Sequence, residues 1–151
     1  MGVLKCPHCI STCKSSRVEK FDKSGLKVLR KDRQKVRLKS SLPRSPIFIL
    51  EPDECALGND TRRCCDFYVE ASLMAVLLEF KTGSWNYGHV KDQFIGGLAR
   101  ATSLGRAPSR LSYYVVAGSG ASGATQSLSG LQTIFGRPMR HVRSGQDIKV
   151  N

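Results

Sequence analysis

Two apolar runs, CCDFYVE (64–70) and LMAVLLEFK (73–81), are separated only by Ala71 and Ser72, and no other feature restricts the fold as strongly. A connection that short cannot carry the crossover that parallel strands need, so the runs are predicted as an antiparallel hairpin. Side chains alternate along a strand, so Leu78 and Phe80 fall on one face of the second run and Glu79 and Lys81 on the other. Asp66 opens the first run, where a hairpin partner brings its carboxylate beside Glu79.

Around this hairpin the remaining signals are weaker. Pro43 and Pro46 admit an extended segment at 47–50, IFIL. Residues 89–104 carry Val90, Phe94, Ile95, Leu98 and Ala101 at helical spacing, and Gly105 and Pro108 close that helix. LSYYVVAG (111–118) reads as the next strand. SLSGLQTIFG reads as a short helix, and MRHVR as a last strand before a tail. Residues 17–40 are predicted as a charged helix or helix pair, with Val18, Phe21, Leu26, Leu29, Val36 and Leu38 on its apolar side and a break at Gly25. The expectation is an α/β fold, a small central mixed sheet flanked by helices. It divides into a basic, Cys-containing arm over 1–44 and a core over 45–151.

The net charge of +12 on 151 residues favours polyanionic partners, and its distribution says more than its size. Twelve Lys or Arg lie between Lys14 and Arg44, opposed by Glu19, Asp22 and Asp32, a net of +9. Lys27, Arg30, Lys31, Arg33, Lys35, Arg37 and Lys39 are the densest part, and they are assigned to nucleic-acid phosphates. Between Glu51 and Lys81 the sign reverses, with seven acidic residues against three basic ones. No stretch approaches the roughly 20 apolar residues of a membrane span, so no membrane association is expected. The opening MGVLKCPHC lacks a secretory core, and position 6 is Cys where myristoylation after Gly2 expects Ser or Thr. A cytoplasmic address with reduced cysteines follows as the default.

Two carboxylates converging on one point repel unless a cation joins them, and hard oxygen ligands suit Mg²⁺ or Mn²⁺. Asp66 and Glu79 are therefore candidate metal ligands, and Lys81 a candidate to orient water and offset charge on a reacting phosphate. An ExK on a strand is also what a solvated salt pair looks like. The order of parts separates the two readings: an Asp opening the preceding strand, an apolar run into ExK, a Gly-containing turn, then a helix with Gln93.

RCCDFYVE, VLLEFKTG and VKDQFIGGLARA together resemble the PD-(D/E)xK nuclease superfamily, over about residues 47–118. The resemblance implies a restriction-endonuclease-like core and a Mg²⁺- or Mn²⁺-dependent endonuclease, with DNA expected before RNA and the choice left open by the sequence. It implies Asp66 and Glu79 as metal ligands, Lys81 as the catalytic lysine and Gln93 as a supporting residue. Enzymes of this kind often work as homodimers, because two strands need two sites. Asp53, in the literal Pro52-Asp53, also precedes ExK, but it sits in a polar loop and begins no strand. An acidic residue on a first helix is common in the family, and Glu19 has that position alone to support it.

Other signals carry less. Cys6, Cys9 and Cys13, with His8, offer part of a zinc site, but the second pair at short spacing is missing; reduced thiols are the plainer reading. Gly118–Gly123 fits GxGxxG after a strand, yet the 28 residues beyond are too few for a dinucleotide-binding sheet, which leaves a flexible connector. His89 and His141 stand alone. Trp85 and Tyr87 either stack on a displaced base or pin the loop after ExK. The competing function is a non-catalytic nucleic-acid-binding module working through the basic arm; an inactive nuclease-fold subunit is a third.

Overall fold

The computed structural model describes residues 16–54, 63–72, 74–83, 85–117 and 133–150. Its strands are β1 (Ser16–Lys20), β2 (Leu26–Lys31), β3 (Gln34–Lys39), β4 (Pro46–Leu50), β5 (Phe67–Ala71) and β6 (Met74–Lys81), with a 3-10 turn at Pro52–Glu54. Helix α1 (Tyr87–Ser103) follows, then β7 (Arg110–Ala117), β8 (Thr133–Ile134), β9 (Arg137–Arg143) and β10 (Asp147–Lys149).

Seven strands form one mixed sheet in the order β1-β4-β5-β6-β7-β9-β8. Neighbours from β1 to β6 are antiparallel, β6, β7 and β9 run parallel, and β8 closes back on β9. The predicted hairpin is present, with Phe67 opposite Leu78 and Ala71 opposite Met74. Its tight turn is made by Ser72 at φ 56°. Parallel β6 and β7 need a crossover, and α1 supplies it.

Alternation along the strands sorts the core into two layers. Tyr68, Ala75, Leu77, Tyr113, Val115 and Met139 pack with Val90, Phe94 and Ala101 of α1. Ile47, Ile49, Phe67, Val69, Val76, Leu78 and Phe80 face the other way, onto Leu29, Val36, Leu38 and Ile148. Those last four belong to a second sheet, ordered β10-β3-β2. The molecule is thus helix, large sheet, small sheet.

This corrects the α/β expectation. The chain is mostly β, with one α-helix among the described residues, and it does not form the helix-flanked core that the family resemblance implied. The error lies in residues 17–40, which form β1, β2 and β3. Gln34, Val36 and Leu38 are buried at every second position, a strand period, and Leu29 meets Val36 across the β2–β3 pair. Two turns hide the break. Asp22 accepts hydrogen bonds from the backbone N–H of Ser24 and Leu26, at 2.8 and 2.9 Å. Gly25 sits at φ 78°, where a Cβ would strike the Ser40 carbonyl. Asp32, at φ 54°, turns β2 into β3 without any glycine.

The short helix expected over 127–136 is also corrected in its described part, where Thr133 and Ile134 are strand β8. The tail contributes β10, which pairs with β3 in parallel. The GxGxxG segment, the turn near Gly58 and the cysteines 6, 9 and 13 lie outside the described residues.

Helix α1 begins two residues before the predicted start. Asn86 caps it, its side-chain oxygen accepting from the N–H of Gly88 and His89. Gly96 and Gly97 let it lie directly on residues 63–65, since a Cβ would run into the Arg63 carbonyl at one position and the Cys65 sulfur at the other. That contact fixes the segment entering β5, and with it Asp66.

Candidate active site

Asp66 stands one step before β5, opposite Glu79 of β6, because the register pairs Phe67 with Leu78. Both project on the α1 side, at the end of the sheet where the parallel strands finish. Asp66 Oδ2 accepts from the backbone N–H of Phe80 at 2.8 Å, which aims the carboxyl along β6. Glu79 is 2% exposed, and its carboxyl faces that of Asp66 across the strand pair. Burial, first, and then the Asp66 carboxylate push Glu79 up to about 9, with Lys81 pulling the other way.

Lys81 Nζ lies 3.2 Å from Glu79 Oε2. Its backbone carbonyl accepts from Gln34 Nε2 at 2.9 Å, tying the end of β6 to the small sheet. The predicted trio of Asp66, Glu79 and Lys81 is therefore together. Sequence reasoning missed a fourth member. Lys31, at the end of β2, places Nζ 3.8 Å from Asp66 Oδ1. It was assigned to a phosphate-binding arm, and only recognition of the β2–β3 hairpin would have brought it here.

Gln93, the expected supporting residue, lies on α1 against the segment that enters β5. Its backbone carbonyl accepts from the Cys65 N–H at 2.8 Å, anchoring the residue before Asp66. Its side-chain oxygen is buried with no hydrogen-bond partner among the described residues. Trp85 and Tyr87 pack on one another, at 4.6 Å between centroids, and each lies 5.7 Å from the His141 ring. Tyr87 Oη and His141 Nε2 are 3.1 Å apart. These rings pin the loop after β6 onto β9, the second of the two roles considered for them. His89 is exposed in the first turn of α1, and its backbone N–H joins the Asn86 cap. Asp53 is exposed in the 3-10 turn. Glu19 sits on β1, in ion pairs with Arg17 and Lys27.

Among the described residues no group of three or more His, Cys, Asp or Glu is arranged to hold a metal. Two carboxyls remain, and they fit a hard divalent ion. Mg²⁺ keeps several waters and is commonly bound through one or two carboxylates. More directly, a carboxyl with almost no exposure, forced against a second one, is an electrostatic cost that either a proton or a cation removes.

The seven cations assigned to nucleic acid divide by strand face. Lys27 and Lys31 point at the large sheet, where Lys27 pairs with Glu19 at 3.1 Å and Lys31 with Asp66. Arg30, Lys35, Arg37 and Lys39 point outward, and Arg33 is exposed in the turn. No described helix is long and apolar enough to cross a membrane. No protein-family model, curated protein or solved structure matches the chain.

Proposed function

We propose that this protein is a metal-dependent nuclease that hydrolyses phosphodiester bonds, in DNA before RNA, with its site at Asp66, Glu79 and Lys81. One observation carries the reading: two carboxyls face one another at the end of the sheet, one of them buried, with a lysine 3.2 Å away. Local motif order agrees with the PD-(D/E)xK resemblance, while the surrounding architecture supplies no support for it.

Asp66 and Glu79 would hold the cation, Mg²⁺ or Mn²⁺. When bound, such an ion supplies Lewis acidity and a nucleophile at neutral pH. To take that role Glu79 would lose its proton to solvent, while the Phe80 N–H holds Asp66 in place. Lys81, tethered through its own carbonyl to Gln34, presents Nζ beside the carboxyls to orient water and offset charge building on the phosphate. Lys31, 3.8 Å from Asp66, brings a second positive charge toward an incoming phosphate.

Lys81→Ala tests the assignment. Cleavage should be lost while DNA binding is retained; unchanged cleavage removes Lys81 from the site. A second reading, a non-catalytic nucleic-acid-binding module, is favoured by the outward cations of the small sheet and predicts binding without cutting.

A further inference from the structure

The small sheet has one face in the core and one in solvent. Register places Val28, Arg37 and Asp147 in one row across it, and Leu26, Lys39 and Lys149 in another, with Arg30 opposite Lys35. All eight share the outward face. Five of them are cations, Arg30, Lys35, Arg37, Lys39 and Lys149, against the single acid Asp147, which pairs with Arg37 at 3.3 Å. Arg30, Lys35, Lys39 and Lys149 are exposed, and among the described residues of this face the one acid, Asp147, is paired with Arg37.

We infer that this face is a docking surface for the sugar-phosphate backbone of a nucleic-acid duplex, positioned to lead it to the site. The inference deepens the nuclease reading, since the duplex is its substrate class, but binding here stands or falls separately from cutting. Along β3 the outward cations recur at every second residue, about 6.7 Å apart, near the separation of successive phosphates on one strand. The remaining outward residues, Leu26 and Val28, are aliphatic, so among the described residues the face offers no ring on which an unpaired base can stack. Surfaces that hold single strands depend on such rings; a cation-rich one without them suits a backbone presented by paired strands.

The β2–β3 hairpin also joins the face to the site. At the end of the row, Arg30 is followed by Lys31, which turns inward to Asp66, and Gln34 of the same hairpin end holds the Lys81 carbonyl. A backbone lying along β3 toward the hairpin turn therefore reaches the end of the small sheet from which Lys31 and Gln34 contact Asp66 and the Lys81 carbonyl.

The test is binding in EDTA, across a salt series, to duplex DNA, duplex RNA and single-stranded DNA oligonucleotides. Wild type is compared with a fourfold variant, Arg30→Gln, Lys35→Gln, Lys39→Gln and Lys149→Gln. A second fourfold variant, Lys20→Gln, Lys23→Gln, Arg110→Gln and Arg140→Gln, removes equal charge from exposed positions elsewhere. Circular dichroism checks that both fold. Duplexes should bind more tightly than the single strand. In the first variant the slope of log affinity against log salt should shrink by about 3 to 4, at roughly 0.9 per phosphate contact, and in the second it should hardly move. Equal losses in both variants, an unchanged slope in the first, or preference for the single strand overturns the inference. A protein that binds in this way but never cuts keeps the docking surface and loses the nuclease reading.

Discussion

Asp66 and Glu79 face one another across the end of the β5–β6 pair, and burial leaves Glu79 a far weaker acid than a carboxyl in water. Its ordinary value is 4.5 and its value in the folded chain is about 9. Between those limits the folded state binds a proton that the unfolded state has released. The associated stability is therefore complete below pH 4.5 and is lost as pH rises toward 9. Metal-free protein should show an unfolding free energy that falls steadily from pH 5 to pH 9, with a slope of at most about 1.4 kcal/mol per pH unit. Glu79→Gln, neutral at every pH, should flatten that dependence. A wild-type profile that is flat or rises over this range contradicts the shared proton.

Divalent cations compete with that proton, since metal ligands bind deprotonated. Mn²⁺ binding followed by calorimetry should release protons and tighten as pH rises from 6 to 8. Glu79→Gln should bind the ion at least tenfold more weakly. Equal affinity in the variant places the ion elsewhere.

Leu38→Ala tests the corrected fold. Leu38 is fully buried between the small sheet and the large one. A cavity there should cost about 2–5 kcal/mol in denaturant unfolding. A solvated helical arm, as the sequence first suggested, would lose under about 0.5 kcal/mol.

How far the sequence was legible follows from particular residues. The β5–β6 hairpin could be read because two long apolar runs stand either side of Ala71 and Ser72, and that hairpin alone sets Glu79 beside Asp66. Helix α1 could be read from Val90, Phe94 and Ala101. β2 and β3 could not, because Lys and Arg fill their outward positions and Asp32 turns the chain where glycine would have marked a turn. β10 is three residues long, and it exists through its pairing with β3, more than a hundred residues earlier. Lys31 was hidden by the same error, since a residue on a helical arm has no reason to meet Asp66.

Gly97→Ala links packing to the site. The new Cβ meets the Cys65 sulfur, one residue from Asp66. Overpacking of this kind should cost about 1–3 kcal/mol and displace the Asp66 carboxyl, so Mn²⁺ affinity should fall along with stability. Loss of stability with unchanged metal affinity would show that Asp66 is positioned independently of α1.

The nuclease reading is tested most directly by incubating the protein with plasmid and single-stranded DNA in Mg²⁺ or Mn²⁺, beside EDTA and Glu79→Ala controls. The account predicts cutting that needs the metal and disappears in the variant. Salt-sensitive DNA binding without cutting, whichever divalent ion is supplied, would contradict it and leave a nucleic-acid-binding module in its place.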